Sequence, residues 1–367
     1  MSSTGQNQYI PDYAVPPGEI LLETIEERGM TQVELSERTG RKKKTINEII
    51  KGKAPITPET AIQLERVLDI PSTFWNNLER DYQASLARLA EKNRLEEQVG
   101  WLNNLPVKEM VKWGWIAKSA DKVEQVRILL NYFGVASPKQ WFDVWDKVAV
   151  SYRKSATFES VFGAVASWLR QGEIVGHGIE CASYDKATFQ EALAKIRELT
   201  AEHPKVFQPE IIKRCAAAGV AVVFVPELPK APISGATRWL SPNKALLQLS
   251  LRHKSNDHLW FSFFHEAAHI LKHGKTEIFV DSDKDGQKED EANRFAADFL
   301  IPPAELKRFL DRTLANISKA AVRDFACEIG IAPGIVVGRL QNEGLIPWKS
   351  HCNDLKVRYQ WGAPSAG

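Results

Sequence analysis

The sequence has few cysteines, little net charge and no long apolar segment. Its four cysteines among 367 residues form no C-x-x-C pair, which argues against a disulfide scaffold and a thiolate zinc site. The 48 Lys and Arg nearly balance the 46 Asp and Glu, so bulk charge does not attract a polyanion. Apolar runs such as residues 220–226 are too short to cross a bilayer, and residues 1–14 lack the apolar stretch of a signal peptide. We therefore expect a cytoplasmic protein of two or three globular domains.

Positive charge is concentrated near the N-terminus. Residues 28–54 contain eight Lys or Arg and three Glu, a net charge of +5 that exceeds the +2 of the whole chain. Within this window Thr31 caps a predicted helix, Gly40 supplies a sharp turn, and a second helix runs from Lys42 or Lys43 to Ile50. Two short helices joined by a sharp turn in a basic window favour a helix-turn-helix that reads DNA.

The outward positions of these two helices combine cations, which bind phosphates, with amide and hydroxyl groups, which bind base edges. We predict DNA contacts from Gln32, Lys42, Lys43, Lys44, Thr45, Asn47 and Lys51. A protein-interaction module of the same shape is the alternative. A single domain of this size makes few contacts, so we expect a homodimer on a two-fold operator site.

A zinc-binding pattern lies in the C-terminal half of the chain. His265, Glu266 and His269 form H-E-x-x-H within a helix predicted from about Leu259 to His273. Histidines four residues apart share one helix face, so both imidazoles can reach a single Zn²⁺. Glu266 can take a proton from water on that metal, and the implied reaction is hydrolysis of a peptide bond.

Catalytic zinc usually has three protein ligands and one open position, so a third ligand is required. Glu291 is the expected ligand, 22 residues beyond His269 at the head of a second predicted helix, and Glu289 is the alternative. His273 either supports the site or is a solvated residue at the helix end. Further candidates, as donors to a developing oxyanion, are His253, His258 and Arg294.

Apolar periodicity is helical over most of the chain. Three short segments rich in β-branched or alternating apolar residues, 220–225, 235–239 and 244–251, predict one small sheet. The expected fold class is therefore mainly α with a small β-sheet, an α+β arrangement.

The two motifs together resemble known regulators. Residues 31–69, within "MTQVELSERTGRKKKTINEIIKGKAPITPETAIQLERVLDI", resemble the xenobiotic-response-element class of helix-turn-helix, most closely the HigA-type antitoxin regulators. Residues from about 219 to 303, with "GVAVVFVPELP", "FSFFHEAAHILKHG" and "EANRFAADFLIP", resemble the ImmA/IrrE family of zinc metallopeptidases. The resemblance implies zinc ligation by His265, His269 and Glu291, with Glu266 as the catalytic base.

Members of the ImmA/IrrE family act mainly by cleaving a partner repressor, whereas HigA-type proteins neutralise a toxin and repress their own operon. We expect a DNA-binding regulator with a zinc-dependent endopeptidase domain. The alternative is a non-proteolytic antitoxin-like autorepressor, in which a fourth protein ligand such as His273 or Glu289 closes the zinc site. The expected organisation is a flexible tail (1–14), a helix-turn-helix domain (15–80), a helical connector (81–205) and a zincin-like metallopeptidase domain (206–367).

Overall fold

The computed structural model describes residues 14–152, 158–231, 233–274, 279–280, 286–313 and 317–362. The expected tail over residues 1–14 therefore lies, apart from Ala14, outside the described residues. The described chain is mainly α-helical with one small β-sheet, which confirms the predicted fold class. It divides into two compact units, Met1–Val99 and Gly100–Gly367. Over the described ranges, no helix is long and apolar enough to span a membrane.

The first unit is helical over its described part. Its elements are α1 (Pro17–Glu27), α2 (Gln32–Thr39), α3 (Lys43–Ile50), α4 (Pro58–Leu68) and α5 (Ser72–Glu97). Their apolar faces enclose one core that includes Leu21, Ile25, Leu35, Ile46, Ile49, Leu64 and Trp75. Helices α1 and α3 approach closely at Gly18, because a Cβ there would lie 2.0 Å from the Ile49 carbonyl oxygen. The predicted boundary at residue 80 falls inside α5, which continues to Glu97.

The second unit begins with helices and then adds the sheet. After a 3₁₀ helix (Val99–Asn104) come α6 (Val107–Lys112), α7 (Lys122–Phe133), α8 (Pro138–Tyr152), α9 (Phe158–Gly178), α10 (Lys186–Arg197), a 3₁₀ helix (Glu198–Ala201) and α11 (Pro204–Ala217). Next are β1 (Val220–Phe224), β2 (Gly235–Ser241), β3 (Lys244–Leu249), α12 (Asn256–Lys272), β4 (Phe279–Val280) and α13 (Gln287–Leu300). The unit ends with α14 (Pro303–Thr313), α15 (Lys319–Glu328), α16 (Pro333–Asn342) and a 3₁₀ helix (His351–Leu355).

The sheet has the strand order β1-β3-β2-β4. β1 pairs with β3 in parallel, whereas β2 is antiparallel to both β3 and β4. The three predicted strands are β1, β2 and β3. Sequence analysis missed β4, because two residues are too few to show an alternating pattern.

Residues 100–205, the larger part of the expected connector (81–205), belong to the same compact unit as the sheet. The indole nitrogen of Trp168 on α9 donates to the Val225 carbonyl at 3.1 Å, and the Gln248 side chain donates to the Trp168 carbonyl at 2.7 Å. A Cβ at Gly172 would lie 1.8 Å from Gln248 Oε1, so α9 lies directly on β3. Leu247, next in the strand, packs instead in the core that contains α12. The sheet is therefore covered by α9 on one face and by α12 on the other.

We predict that a fragment covering residues 206–367 does not fold alone, because loss of α9 exposes the buried face of the sheet to water. A fragment covering residues 100–367 should unfold cooperatively, in one transition. Urea titration followed by circular dichroism measures both. A cooperative transition in the 206–367 fragment would contradict this account and restore the predicted boundary.

Candidate metal centre and DNA-binding surface

Helix α12 carries both predicted histidines and Glu266 into the protein interior. Its other residues are mostly apolar around the whole circumference, as expected for a helix buried on all sides. His265, Glu266 and His269 are only 5%, 1% and 2% exposed. Polar groups at this depth require polar partners or a metal ion.

Helix α13 supplies a carboxylate to the two histidines. Oε2 of Glu289 lies 3.1 Å from Nε2 of His265, and its Oε1 lies 3.6 Å from Nε2 of His269. The two Nε2 atoms are 3.1 Å apart. Ligand atoms 2.0–2.1 Å from one tetrahedral zinc ion are about 3.3 Å from each other, so this spacing fits a single ion. In the part of the chain that the structure describes, these three residues are the one group of three or more such side chains suited to a metal.

The electrostatics of this group suit metal binding. Burial raises the pKa of Glu289, but the two histidines at its oxygens lower it by more, to about 2 overall. The pKa of His269 is lowered, mainly because burial disfavours its charged form. An ionised carboxylate and a neutral imidazole are the forms that bind a metal ion.

Glu291, the expected third ligand, lies elsewhere. Its Oε1 accepts a hydrogen bond from Lys272 Nζ at 3.0 Å, its Oε2 is 3.5 Å from Nε2 of His273, and its side chain is 49% exposed. The alternative that the sequence left open, Glu289, occupies the position beside the histidines. Two residues of an α-helix span about 200° of rotation, so only one of these glutamates can lie beside His265 and His269.

The sequence did contain a signal for Glu289. Ala292 and Ala296 are fully buried; Ala292 follows Glu289 by three residues and Ala296 follows Ala292 by four, the spacing of a single helix face. The two alanines mark the face that packs on α12, and Glu289 continues that face by one turn. The E-A-N-x-F-A string of residues 291–296, in contrast, predicts Glu291 as the ligand.

Strand β2 positions the side chain of Glu266. Thr237 Oγ1 donates a hydrogen bond to Glu266 Oε2 at 2.6 Å. A Cβ at Gly235 would lie 2.6 Å from Glu266 Oε1, so a larger residue at this position would displace the Glu266 side chain. Sequence analysis missed both residues, because the contact joins a strand to a helix 29 residues away and leaves no local pattern.

A cavity of about 510 Å³ lies between α12, α13 and α16. Phe261 forms part of its wall, and the ring centroid of Phe261 is 6.1 Å from that of His265. The predicted oxyanion donors His258 and Arg294 also line this cavity, whereas His253 stacks on His258 at 4.1 Å. The structure therefore places all three outside the metal cluster and two of them beside the cavity.

In the first unit, α2 and α3 form the predicted helix-turn-helix. The capping box is present: the Glu34 amide donates to Thr31 Oγ1 at 3.2 Å, and the Thr31 amide donates to Glu34 Oε2 at 2.8 Å. Gly40 has a φ of 69°, the left-handed conformation that a sharp turn after α2 requires. The inward side of α3 is formed by Ile46, Ile49 and Ile50, all buried.

The residues predicted to contact DNA lie on these two helices and at their ends. Lys42, Lys43, Lys44 and Lys51 are exposed, while Gln32, Thr45 and Asn47 are half-buried. Asn47 Nδ2 donates to Gln32 Oε1 at 3.3 Å, so these two amides are side by side. The structure thus groups polar amides with exposed lysines, as expected for a surface that contacts bases and phosphates. Their contact with DNA remains a prediction.

Comparisons with protein families agree with this geometry. Residues 21–75 match the helix-turn-helix family model, and residues 218–323 match the peptidase M78 family, described as the IrrE N-terminal-like domain. The chain therefore carries a helix-turn-helix DNA-binding domain followed by a domain of a peptidase family. No curated protein gives a significant match.

Three solved structures to which the chain is similar are described as antitoxin or antidote proteins. Antitoxin HigA of Pseudomonas aeruginosa, solved with the higBA promoter, is 29% identical over 23% of this chain and 94% of its own, with a TM-score of 0.22. A protein described as an antidote of a plasmid maintenance system, from Nostoc punctiforme, is 26% identical over 23% and 92%, with a TM-score of 0.22. A HigA-family antidote protein of Coxiella burnetii is 26% identical over 23% and 92%, with a TM-score of 0.21.

We predict that Glu289→Ala abolishes stoichiometric zinc binding, because it removes one of the three clustered ligands. Glu291→Ala should keep one zinc ion per chain, and Asp290→Asn, an exposed change between them, serves as the control. Dialysis of the three variants against trace zinc, followed by measurement of the zinc bound per chain, tests these expectations. Loss of zinc from Glu291→Ala with retention in Glu289→Ala would show that the glutamates are assigned the wrong way round.

We predict different effects from two changes on α3. Lys43→Ala should weaken binding to every DNA sequence and reduce the salt slope by about 1, whereas Asn47→Ala should cost about 1–3 kcal/mol on the preferred sequence only. Selecting bound duplexes from a random DNA library identifies the preferred sequence. Titrating each variant with DNA at several salt concentrations measures the affinities and the salt slope. Lys213→Ala on α11 is the charge-matched control. Equal losses from Asn47→Ala on preferred and random DNA would contradict a base contact.

Proposed function

We propose that this protein is a DNA-binding regulator whose second unit is a zinc-dependent endopeptidase that cleaves a partner protein, such as a repressor. One observation carries the proposal: ligand atoms of His265, His269 and Glu289 lie within 4.8 Å of one another, and the helix that carries the two histidines also carries the buried Glu266. The match of residues 218–323 to the peptidase M78 family model supports it.

The residues that would hold zinc are His265, His269 and Glu289. Two imidazole nitrogens and one carboxylate are a donor set found in catalytic zinc sites of peptidases. When bound, zinc lowers the pKa of a coordinated water towards about 7 and polarises the carbonyl of the scissile bond.

Glu266 would then transfer the proton. Thr237 Oγ1 donates to Oε2 of this carboxylate and so helps to orient it for accepting a proton from the attacking water. The same proton passes to the departing amine when the carbon–nitrogen bond breaks. Thr237 and the space left by Gly235 fix the orientation of the carboxylate before substrate arrives.

The cavity beside His265 is the place we propose for a substrate side chain. Phe261 and Ile335 give it apolar walls, and Trp348, 64% exposed, borders it. Its volume of about 510 Å³ lies within the range of small-molecule pockets, about 300–1,000 Å³. Polar residues such as Arg294 and Asp298 also line it, and we propose that the cavity accepts a large side chain of the substrate.

The alternative, an antitoxin-like autorepressor with a closed zinc site, requires a fourth protein ligand. Nδ1 of His273 lies 2.9 Å from Nδ1 of His269, the ring nitrogen opposite the metal cluster. His273 therefore contacts His269 on the side away from the cluster and is not placed as a metal ligand. Glu289 would be the third ligand rather than a fourth. Among the described residues, the cluster contains only three such side chains, which favours the open site of an enzyme.

A DNA-binding unit on the same chain would place the peptidase near repressors bound at the same locus and raise the effective concentration of substrate. Homodimer formation on a two-fold site, and a toxin partner, remain predictions from the sequence.

We predict that Glu266→Gln abolishes proteolysis and leaves zinc content and DNA affinity unchanged, because the amide keeps the shape of the side chain but accepts no proton. Labelling of new protein N-termini in host lysate, with and without operator DNA, identifies substrates and measures any coupling to DNA. The zinc-loaded wild type and its chelated form are the controls. Cleavage by Glu266→Gln at the wild-type rate would remove Glu266 from the mechanism.

A further inference from the structure

We propose that Glu291 and His273 form a positioning relay behind His269, which sets the ring nitrogen that His269 presents to the metal. The relay consists of Glu291, His273 and His269, in that order towards the metal cluster. The proposal rests on the proposed zinc site. It gives a role to Glu291, which the cluster itself leaves unused.

One hydrogen-bond contact and one ion-pair contact join these three side chains. Oε2 of Glu291 lies 3.5 Å from Nε2 of His273, and Nδ1 of His273 lies 2.9 Å from Nδ1 of His269. Nε2 of His269, on the opposite side of the same ring, faces the cluster at 3.1 Å from His265 and 3.6 Å from Glu289. His273 and His269 therefore each direct one ring nitrogen towards Glu291 and the other towards the metal cluster.

Hydrogen-bond chemistry fixes the direction of this relay. The Nδ1–Nδ1 contact needs one donor and one acceptor, because two bare nitrogens repel and two N–H groups clash. When His269 donates from Nδ1, its Nε2 carries the free lone pair that a metal ion needs. His273 then accepts on Nδ1 and carries its own proton on Nε2, beside the carboxylate of Glu291.

The backbone and Lys272 hold the outer two members in place. Helix α12 ends at Lys272, and His273 takes an extended conformation, with φ of −107° and ψ of 166°. Its side chain is only 4% exposed. Lys272 Nζ binds Oε1 of Glu291 at 3.0 Å, which leaves Oε2 for His273. The partly exposed carboxylate is thereby oriented towards the buried ring.

Such partners of metal-bound histidines typically change metal affinity by about 10–100-fold when they are removed. In the full-length protein, His273→Leu removes the acceptor, whereas His273→Gln keeps an amide oxygen. Glu291→Ala removes the carboxylate, and Glu291→Gln keeps a neutral acceptor in its place. Asp290→Asn, on the exposed side of α13, is the matched control.

Two measurements test the relay. Competition with a chromogenic chelator gives the zinc dissociation constant. Nitrogen-15 shifts of the histidine rings in the zinc-free protein give the tautomer of His269. We expect His273→Leu to weaken zinc binding about 10–100-fold and to shift His269 away from the Nδ1–H form. We expect His273→Gln to restore most of both, a smaller loss in Glu291→Gln than in Glu291→Ala, and none in Asp290→Asn.

Each outcome has a separate meaning. Wild-type zinc affinity and tautomer in folded His273→Leu would overturn the relay, and so would a complete loss of zinc in Glu291→Ala. Thermal unfolding shows whether His273→Leu folds. If it does not, zinc affinity and the His269 tautomer in Glu291→Ala and Glu291→Gln, at a partly exposed position, test the relay. Zinc binding without proteolysis in the wild type would refute the proposed function and leave the relay standing.

Discussion

The arrangement of the candidate metal centre depends on how α13 packs against α12. Ala292 and Ala296 have no exposed surface, and Phe264 of α12 meets Phe299 of α13 with ring centroids 4.9 Å apart. Small residues allow close approach, and the aromatic pair fixes the rotation of α13 about its axis. This rotation decides which glutamate of the first turn faces the histidines.

The sheet is the second constraint, because it sets the position of Glu266 relative to the cluster. β2 brings Thr237 and Gly235 against the glutamate, and β2 is held by β3, whose opposite face is covered by α9. Residues well before the H-E-x-x-H motif therefore support the position of Glu266. This dependence explains why residues 100–205 belong to one unit with the sheet rather than to a separate connector.

The sequence was informative where chemistry is local. The H-E-x-x-H spacing, the Thr31 capping box and the turn at Gly40 each depend on residues within one or two helical turns, and the structure contains all three. The choice between Glu289 and Glu291 depends on tertiary packing, and the contact between Thr237 and Glu266 joins distant segments. Amphipathic patterns likewise predicted helices in residues 100–205 but not the surface on which they pack.

The central claim is that His265, His269 and Glu289 bind one zinc ion and leave a position for solvent. A crystal structure of the zinc-loaded protein, with anomalous scattering measured at the zinc absorption edge, tests it most directly. The account predicts one zinc ion bound by Nε2 of both histidines and by Glu289, with water completing the coordination. A zinc ion bound by Glu291, or closed by a fourth side chain, would contradict it.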